Sequence, residues 1–478
     1  MQILPVEGQY YYFRIVGYLL FALQVFLAVS GFDHLYDLKK INVNKWAMMT
    51  VCFIISVHNF FANPWFTVDG ILFATVAFYI IARFKNRNYG VYFLAALFCM
   101  LSALSKQSFY FIPIIFTAWI AIENGLKKSV YFLSSITIIG FLFFVWINSI
   151  TTFSTFSGQV SGKTKLSDLF EVGFRIYLHC YHNKFIFASV LLLPFIISFY
   201  KQKSIPRLSV YLKWLSVSVF ASALIAIPLI DFKTVIIIFF NAAVIAFIYK
   251  TNFSFKKIRF YFPAGILLGI SWCCALSLGY ASPILFSTGI ILVFFFLMYE
   301  DFAFIQIKKI YPLLAIPVCI FVLFTATKPY REERISSLNY SLATVSPKLK
   351  YIQSDKKTFE KYMDLKQLVS RYGNDYIVAP SLPMAHYLFD TQNPMPAEWL
   401  TNFEINDDVY GFLKFTSKKH CPVFLEKSFI DGEPFIKTEA DREWFSLYGL
   451  FIYKNCHPIA ETDYFLIYDA DEIGKYLN

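Results

Sequence analysis

Apolar and polar positions divide the chain into two regimes. From residue 11 to residue 327, long apolar runs alternate with short polar breaks. Windows of roughly 20 residues, the length that crosses a hydrocarbon core, predict about twelve spans: 11–32, 46–62, 70–82, 89–104, 109–122, 130–150, 185–200, 210–230, 234–249, 260–278, 282–298 and 310–327. The segment 70–82 is short, and crosses with help from its flanks or is partly re-entrant. Beyond residue 328 the runs shorten. Residues 356–372 space Phe359, Tyr362, Met363, Leu365, Leu368 and Val369 as a helix does, and 407–416 are again helix-like. YIVAP reads as a short buried strand, and CPVFLEKSF, GLFIYKN and YFLIYDA read as strands. The expected fold is a polytopic α-helical membrane region, 1–327, followed by a C-terminal α/β domain, 328–478, built as a small layered sheet with helices.

Composition sharpens that division. The 478 residues are 57% hydrophobic and 16% charged, with mean hydropathy +0.53. That is too little polar material to cover a soluble protein. Residues 1–327 hold 25 of the 43 Lys and Arg but only ten of the 32 acids, a balance of +15, whereas the remainder carries −4. The basic residues gather in connectors: 18 lie on one side of the expected spans and seven on the other, four of the seven in the loop at 151–184. The positive-inside rule puts the 18 in the cytoplasm. Both termini and the C-terminal domain then lie outside it, in a multi-pass protein of a bacterial-type cytoplasmic membrane. The pI near 9.0 reports this topology and not nucleic-acid binding, because the tail has no basic stripe interleaved with aromatics. The N-terminal MQILPVEGQYYYFRIVGYLL lacks a basic n-region and a small-residue cleavage site, so it is no signal peptide. An outside N-terminus without an export signal implies a further span ahead of residue 1, or N-out insertion without a signal.

With that orientation, chemistry at the outer face has five carboxylates from this region: Glu7, Asp69, Asp168, Glu171 and Asp231. Asp69 interrupts FFANPWFTVDGILFA, where an ionised carboxylate is costly unless it meets water, a partner or a substrate. It reads either as a helix cap or first-turn acid, or as a site residue. Lys106 and Gln107, in LSALSKQSFYFIP, occupy the turn one hairpin away on the same side. Lys106 is a snorkelling lysine, an ion-pair partner of Asp69, or a cation for a lipid phosphate. In KLSDLFEVGFRIYLHCYHNKF, the residues Leu166, Leu169, Phe170, Phe174, Ile176 and Tyr177 outline an amphipathic helix in the interface. Arg175, His179 and His182 add basic groups there. The two histidines offer metal ligands without a clear third. His58 and Asn59 lie within a span, where a packing role is the plainer reading. SGQVSGKTKL has three residues between Gly158 and Gly162 where a P-loop needs four, and reads as a polar loop. None of the eight cysteines forms a CxxC. Cys52, Cys99, Cys273, Cys274 and Cys319 fall in apolar runs and read as small hydrophobes, while Cys421 and Cys456 in the tail are a candidate disulfide.

These residues together resemble the GT-C superfamily of membrane glycosyltransferases, with a closer likeness to bacterial relatives of protein O-mannosyltransferases and lipid A aminoarabinose transferases. FRIVGYLLFALQVFLAVSGF, NPWFTVDGILFATVAFYIIARF, LSALSKQSFYFIP and the tail segment YIVAPSLPMAHYLFDTQNPMPAEW carry the likeness, which is loose and covers most of the chain. It implies transfer of a sugar from a polyprenyl-phosphate donor to a lipid, glycan or protein acceptor at the outer face of the membrane. It also implies a carboxylate base and positive charge at the departing phosphate. Asp69 matches the family's acid at the start of an early span, and Lys106 with Gln107 matches its basic turn. Arg175, His179 and His182 match donor-phosphate contacts. No nucleotide cofactor is implied, and a divalent metal is left open. The family's principal acid lies in a first outer loop after an N-terminal span. The chain starts near the end of that loop, and Glu7 is the acid left to match it. A non-catalytic relative that binds lipid-linked sugar therefore stays open, as does a polysaccharide or lipid transporter, although no inverted repeat is visible. An O-antigen polymerase or ligase would place its large loop between spans.

Overall fold

The structure, a computed structural model, describes residues 5–40, 43–57, 64–84, 88–152, 171, 173–175, 177, 232–276, 283–302, 335–380, 382–402, 404–405, 408–430 and 446–477. The expected spans at 185–200, 210–230 and 310–327, together with His58 and Asn59, lie outside them. The chain divides into two compact units, residues 14–332 and residues 1–13 with 333–478. The expected boundary at 327–328 falls outside the described residues.

The first unit is helical: α1 (Gln9–Tyr36), α2 (Lys45–Val57), α3 (Phe66–Arg83), α4 (Tyr89–Ser105), α5 (Phe111–Asn124), α6 (Leu126–Ile150), α7 (Phe232–Thr251), α8 (Phe255–Ala275) and α9 (Ser287–Phe302). Among the described residues four helices, α1, α3, α6 and α8, are long and apolar enough to cross a membrane. Each expected span inside the described residues coincides with a helix. α3 begins four residues before the apolar run at 70–82. Pro64 and the extended Trp65 stop the chain from helical continuation upstream, and Trp65 serves as the N-cap without a side-chain cap bond. Asp69 therefore lies within the helix, its amide donating to the Trp65 carbonyl at 2.9 Å.

Aromatic side chains fill the core of this unit: Phe21, Phe32, Phe78, Phe116 and Trp119 are buried, with Phe78 stacked on Trp119 at 5.4 Å. Between helices, polar side chains reach backbone oxygens that an apolar environment would otherwise leave with a single partner. Gln24 Nε2 donates to Val68 O (2.7 Å), Ser102 Oγ to Gly70 O (2.7 Å) and Ser271 Oγ to Phe286 O (3.1 Å).

The second unit is α/β. Its four-stranded sheet has the order β3-β4-β6-β5, with β3 (Ile377–Ala379) parallel to β4 (Pro422–Glu426), and β6 (Phe465–Asp469) antiparallel to both β4 and β5 (Ala460–Glu461). A separate antiparallel pair joins β1 (Tyr340–Ser341) to β2 (Gln353–Ser354). Strand alternation sends Val378, Phe424, Phe465 and Ile467 to one face, where Leu365 and Leu368 of α10 (Lys356–Tyr372) cover them. Ile377, Val423, Leu425 and Tyr468 point to the other, against Leu413 of α12 (Val409–Thr416), Tyr448 and Ile452 of α13 (Leu447–Asn455) and Ile473 of α14 (Ala470–Lys475). The short α11 (Ala385–Phe389) follows β3. Asp355 caps α10, accepting from the Thr358 amide at 2.9 Å, and Gly373 ends it at φ 90°.

One expected strand is a helix. GLFIYKN lies in α13, whose N-cap is Ser446, its Oγ accepting from the Gly449 amide at 3.0 Å. The run is apolar on nearly every side, so its periodicity is weak. The cap and the burial of Tyr448, Gly449 and Ile452 on one face decide the outcome. Cys421 and Cys456 are free and buried, and burial pushes both thiols up to about 11.

Candidate functional site

The first turn of α3 is held from three directions. Gln24 on α1 binds the Val68 carbonyl, Ser102 on α4 binds the Gly70 carbonyl, and the Phe109 ring, from the 3-10 turn Gln107–Tyr110, lies so close to Gly70 that a Cβ there would meet it at 2.6 Å. Gly70 is thus required for a close approach and not for its backbone freedom. Asp69 projects from this turn. Among the described residues its carboxylate has no hydrogen-bond or ion-pair partner, and since Trp65 is the cap, the capping role falls away. The first-turn dipole contribution remains.

Lys106 ends α4 at the same end of the hairpin, its ammonium 5.6 Å from the centroid of the Phe66 ring. Phe66 lies three residues before Asp69, so Lys106 lies against the helix turn that carries Asp69. No ion pair joins them among the described residues, so that alternative for Lys106 drops out. Burial, opposed weakly by the neighbouring Cys274, lowers the Lys106 ammonium to about 8. Two hydroxyls in the same segments, Thr67 Oγ1 and Ser108 Oγ, are buried without a hydrogen-bond partner among the described residues. Buried polar groups are nearly always satisfied, and these two hydroxyls are exceptions within the segments that carry Asp69 and Lys106. Gln107 opens the 3-10 turn between Lys106 and Ser108.

The end of α8 joins this group. Trp272 Nε1 donates to the Gly173 carbonyl at 3.3 Å, and its ring sits 5.4 Å from Phe111 and 5.9 Å from Phe174. The helical residues 173–175, from the segment expected to be amphipathic, therefore lie against α8 close to the start of α5. Arg175 is exposed and paired with Glu171 at 3.1 Å. His179 and His182 lie outside the described residues. Among the described residues no group of three His, Cys, Asp or Glu side chains is arranged to hold a metal.

Glu7 belongs to the other unit. Its carboxylate accepts from Lys350 Nζ at 2.6 Å, and that ammonium holds the Glu7 carboxyl below its usual range. Gly8 N donates to Pro347 O (2.9 Å) and Tyr387 OH to Gln9 Oε1 (2.6 Å), so the residues around Glu7 are moored to the tail.

No protein-family model, curated protein or solved structure matches the chain. The site is therefore read from its own geometry. Sequence reasoning selected Asp69, Lys106 and Gln107 but passed over Gln24, Thr67, Ser102 and Ser108. The available signal was the presence of Gln24 and Ser102 inside apolar runs, where polar side chains are scarce and need partners.

Proposed function

We propose that the chain is a membrane glycosyltransferase of the GT-C type, moving a sugar from a polyprenyl-phosphate donor to a lipid, glycan or protein acceptor. In this reading the helical region crosses the membrane about twelve times, and the hairpin end bearing Asp69 and Lys106 faces outward with the α/β tail. The observation that carries it is an unpartnered carboxylate, Asp69, in the first turn of α3, with the half-buried Lys106 ammonium over the Phe66 ring of the same turn.

The chemistry assigns a role to each. The acceptor oxygen bonds to the anomeric carbon as the bond from that carbon to the phosphate oxygen breaks, and Asp69 takes the acceptor's proton. The donor phosphate gains one negative charge as it leaves, and Lys106 stabilises that charge. Ser108, Thr67 and Gln107 supply hydrogen bonds to the sugar or the phosphate. Glu7 and Arg175, both engaged in ion pairs, stand further from this reading than Asp69 and Lys106.

The test is a membrane reconstitution with polyprenyl-phosphate pentose and hexose donors, following release of free polyprenyl phosphate. Asp69→Asn is expected to reduce turnover by about 10²–10⁴, the range of a general base, with unchanged insertion and donor binding. Turnover equal to the parent protein would return Asp69 to a dipole role. Donor binding without turnover in the parent protein would leave a non-catalytic sugar-lipid binder.

A further inference from the structure

The α/β unit carries a surface that neither its core nor the proposed reaction uses. On α12 the buried side is formed by Leu413 and Thr416. At 100° per residue, the opposite arc of the helix and its closing turn runs Tyr410, Lys414, Lys418, Gly411, Phe415. Tyr410 is 58% exposed and Phe415 37% exposed, and both lysines are exposed. Among the described residues no acid lies on this arc. Lys419 reaches back over the Phe415 ring at 4.2 Å.

α14 extends the same surface. Tyr410 OH donates to the Leu477 carbonyl at 3.2 Å, and the Ser417 side chain lies against Gly474, 3.3 Å from where its Cβ would be. Lys475 and Tyr476, the latter 44% exposed, are thereby set beside the α12 arc. Among the described residues the acids of these two helices and their caps are hydrogen-bonded: Asp408 accepts from the Gly411 amide at 3.0 Å, Asp471 is paired with His420, Asp469 accepts from the Asp471 amide at 3.0 Å and Glu472 accepts from the His457 amide at 3.3 Å. The result is three exposed aromatics, Tyr410, Phe415 and Tyr476, among four lysines.

We infer that this face of α12 and α14 docks onto a bilayer surface containing anionic lipid. Tyrosine and phenylalanine bury apolar rings at the level of the head groups, and lysines lay their stems along the interface with the ammonium on the phosphates. Each lysine near an anionic surface contributes about 1 kcal/mol, or about fivefold in association. The same chain carries helices long and apolar enough to cross a membrane, so a bilayer is always within reach. The charge complementarity favours lipid phosphate over a neutral protein surface. The inference needs the membrane reading and is independent of sugar transfer.

The experiment uses the full-length protein in lipid nanodiscs of phosphatidylcholine alone or of a mixture rich in phosphatidylglycerol. Backbone amide exchange is followed across 409–419 and 470–477. Exchange is expected to slow at least about fivefold in the anionic discs, the share of one lysine, and to recover at high salt. The triple variant Lys414→Glu, Lys418→Glu, Lys475→Glu abolishes the slowing while exchange in β4 and β6 stays unchanged. The salt titration on the unmodified protein stands without any variant. Equal exchange in both lipids, or slowing that survives high salt, would overturn the inference. Slowing seen only in native membranes and lost in purified lipid would assign the surface to a protein partner instead.

Discussion

The core of the α/β unit and the Asp69 end of the α3–α4 hairpin treat their charged side chains in opposite ways. In the α/β unit, buried charge is matched. Glu426 accepts from Lys361 Nζ at 2.7 Å and from Ser428 Oγ at 2.6 Å, and the buried Lys348 is held by Asp390 and the Tyr387 carbonyl. In the helical unit, among the described residues, Asp69 has no hydrogen-bond or ion-pair partner and Lys106 has no ion pair but lies over the Phe66 ring, while the Thr67 and Ser108 hydroxyls in the same segments are orphaned. Matched charge specifies a fold. Unmatched charge in an apolar setting is retained only where something else uses it. On the proposed reading, the contrast separates a reactive end of the helical unit from the charge pairs of the tail.

The sharpest way to break the contrast is to remove one cation from each unit. Lys106→Ala is expected to lower turnover by about 10²–10³, as for loss of a group that stabilises developing negative charge, and to leave thermal stability unchanged because no partner is orphaned. Lys361→Ala is expected to do the reverse: turnover is kept, but Glu426 is left buried and short of a donor, at about 1–3 kcal/mol by denaturant or thermal unfolding. Equal stability losses in both variants would show that Lys106 is structural.

pH sharpens the same comparison. The Lys106 ammonium is charged below about 8 and neutral above it, so a turnover that needs the cation falls as pH rises through that value. Lys106→Arg is expected to extend activity to higher pH. In the tail, burial lowers His386 to about 4, while its Nδ1 is bonded to Thr391 Oγ1 at 2.9 Å and its ring stacks on Tyr376. Because the unfolded chain binds the proton more readily, stability falls as pH drops from the usual histidine range, about 6.5, toward about 4. His386→Gln is expected to flatten that slope, measured as the pH dependence of unfolding. The smallest effect expected is from Glu7→Gln, whose pair with Lys350 is exposed. Solvent screens pairs of this kind, so the unfolding midpoint is expected to stay within error of the parent protein.

Much of this was legible in the chain. Apolar runs of helical length and a charge-poor first region announced the bundle, because in an apolar solvent hydropathy and helix formation go together. Asp69 and Lys106 stood out as charges in apolar text. What the sequence hid depends on partners distant along the chain. Glu7 reads as an outer-loop acid until Lys350, far along the chain, takes it up. GLFIYKN reads as a strand until Ser446 is seen to cap it. Thr67 and Ser108 look ordinary in sequence, since an unsatisfied hydroxyl is defined by what fails to surround it.

Gly70 has no functional group, yet on the proposed reading a scan of single substitutions scored by sugar transfer is expected to list it among the reactive residues. Any side chain there meets the Phe109 ring, in the turn that follows Lys106, from the helix turn that carries Asp69. An activity map of this protein would thus contain a position whose loss looks chemical and whose cause is the separation between two backbones. Gly70→Ala paired with Phe109→Leu separates the two causes, because room restored at Phe109 returns a spatial defect and leaves a chemical one untouched.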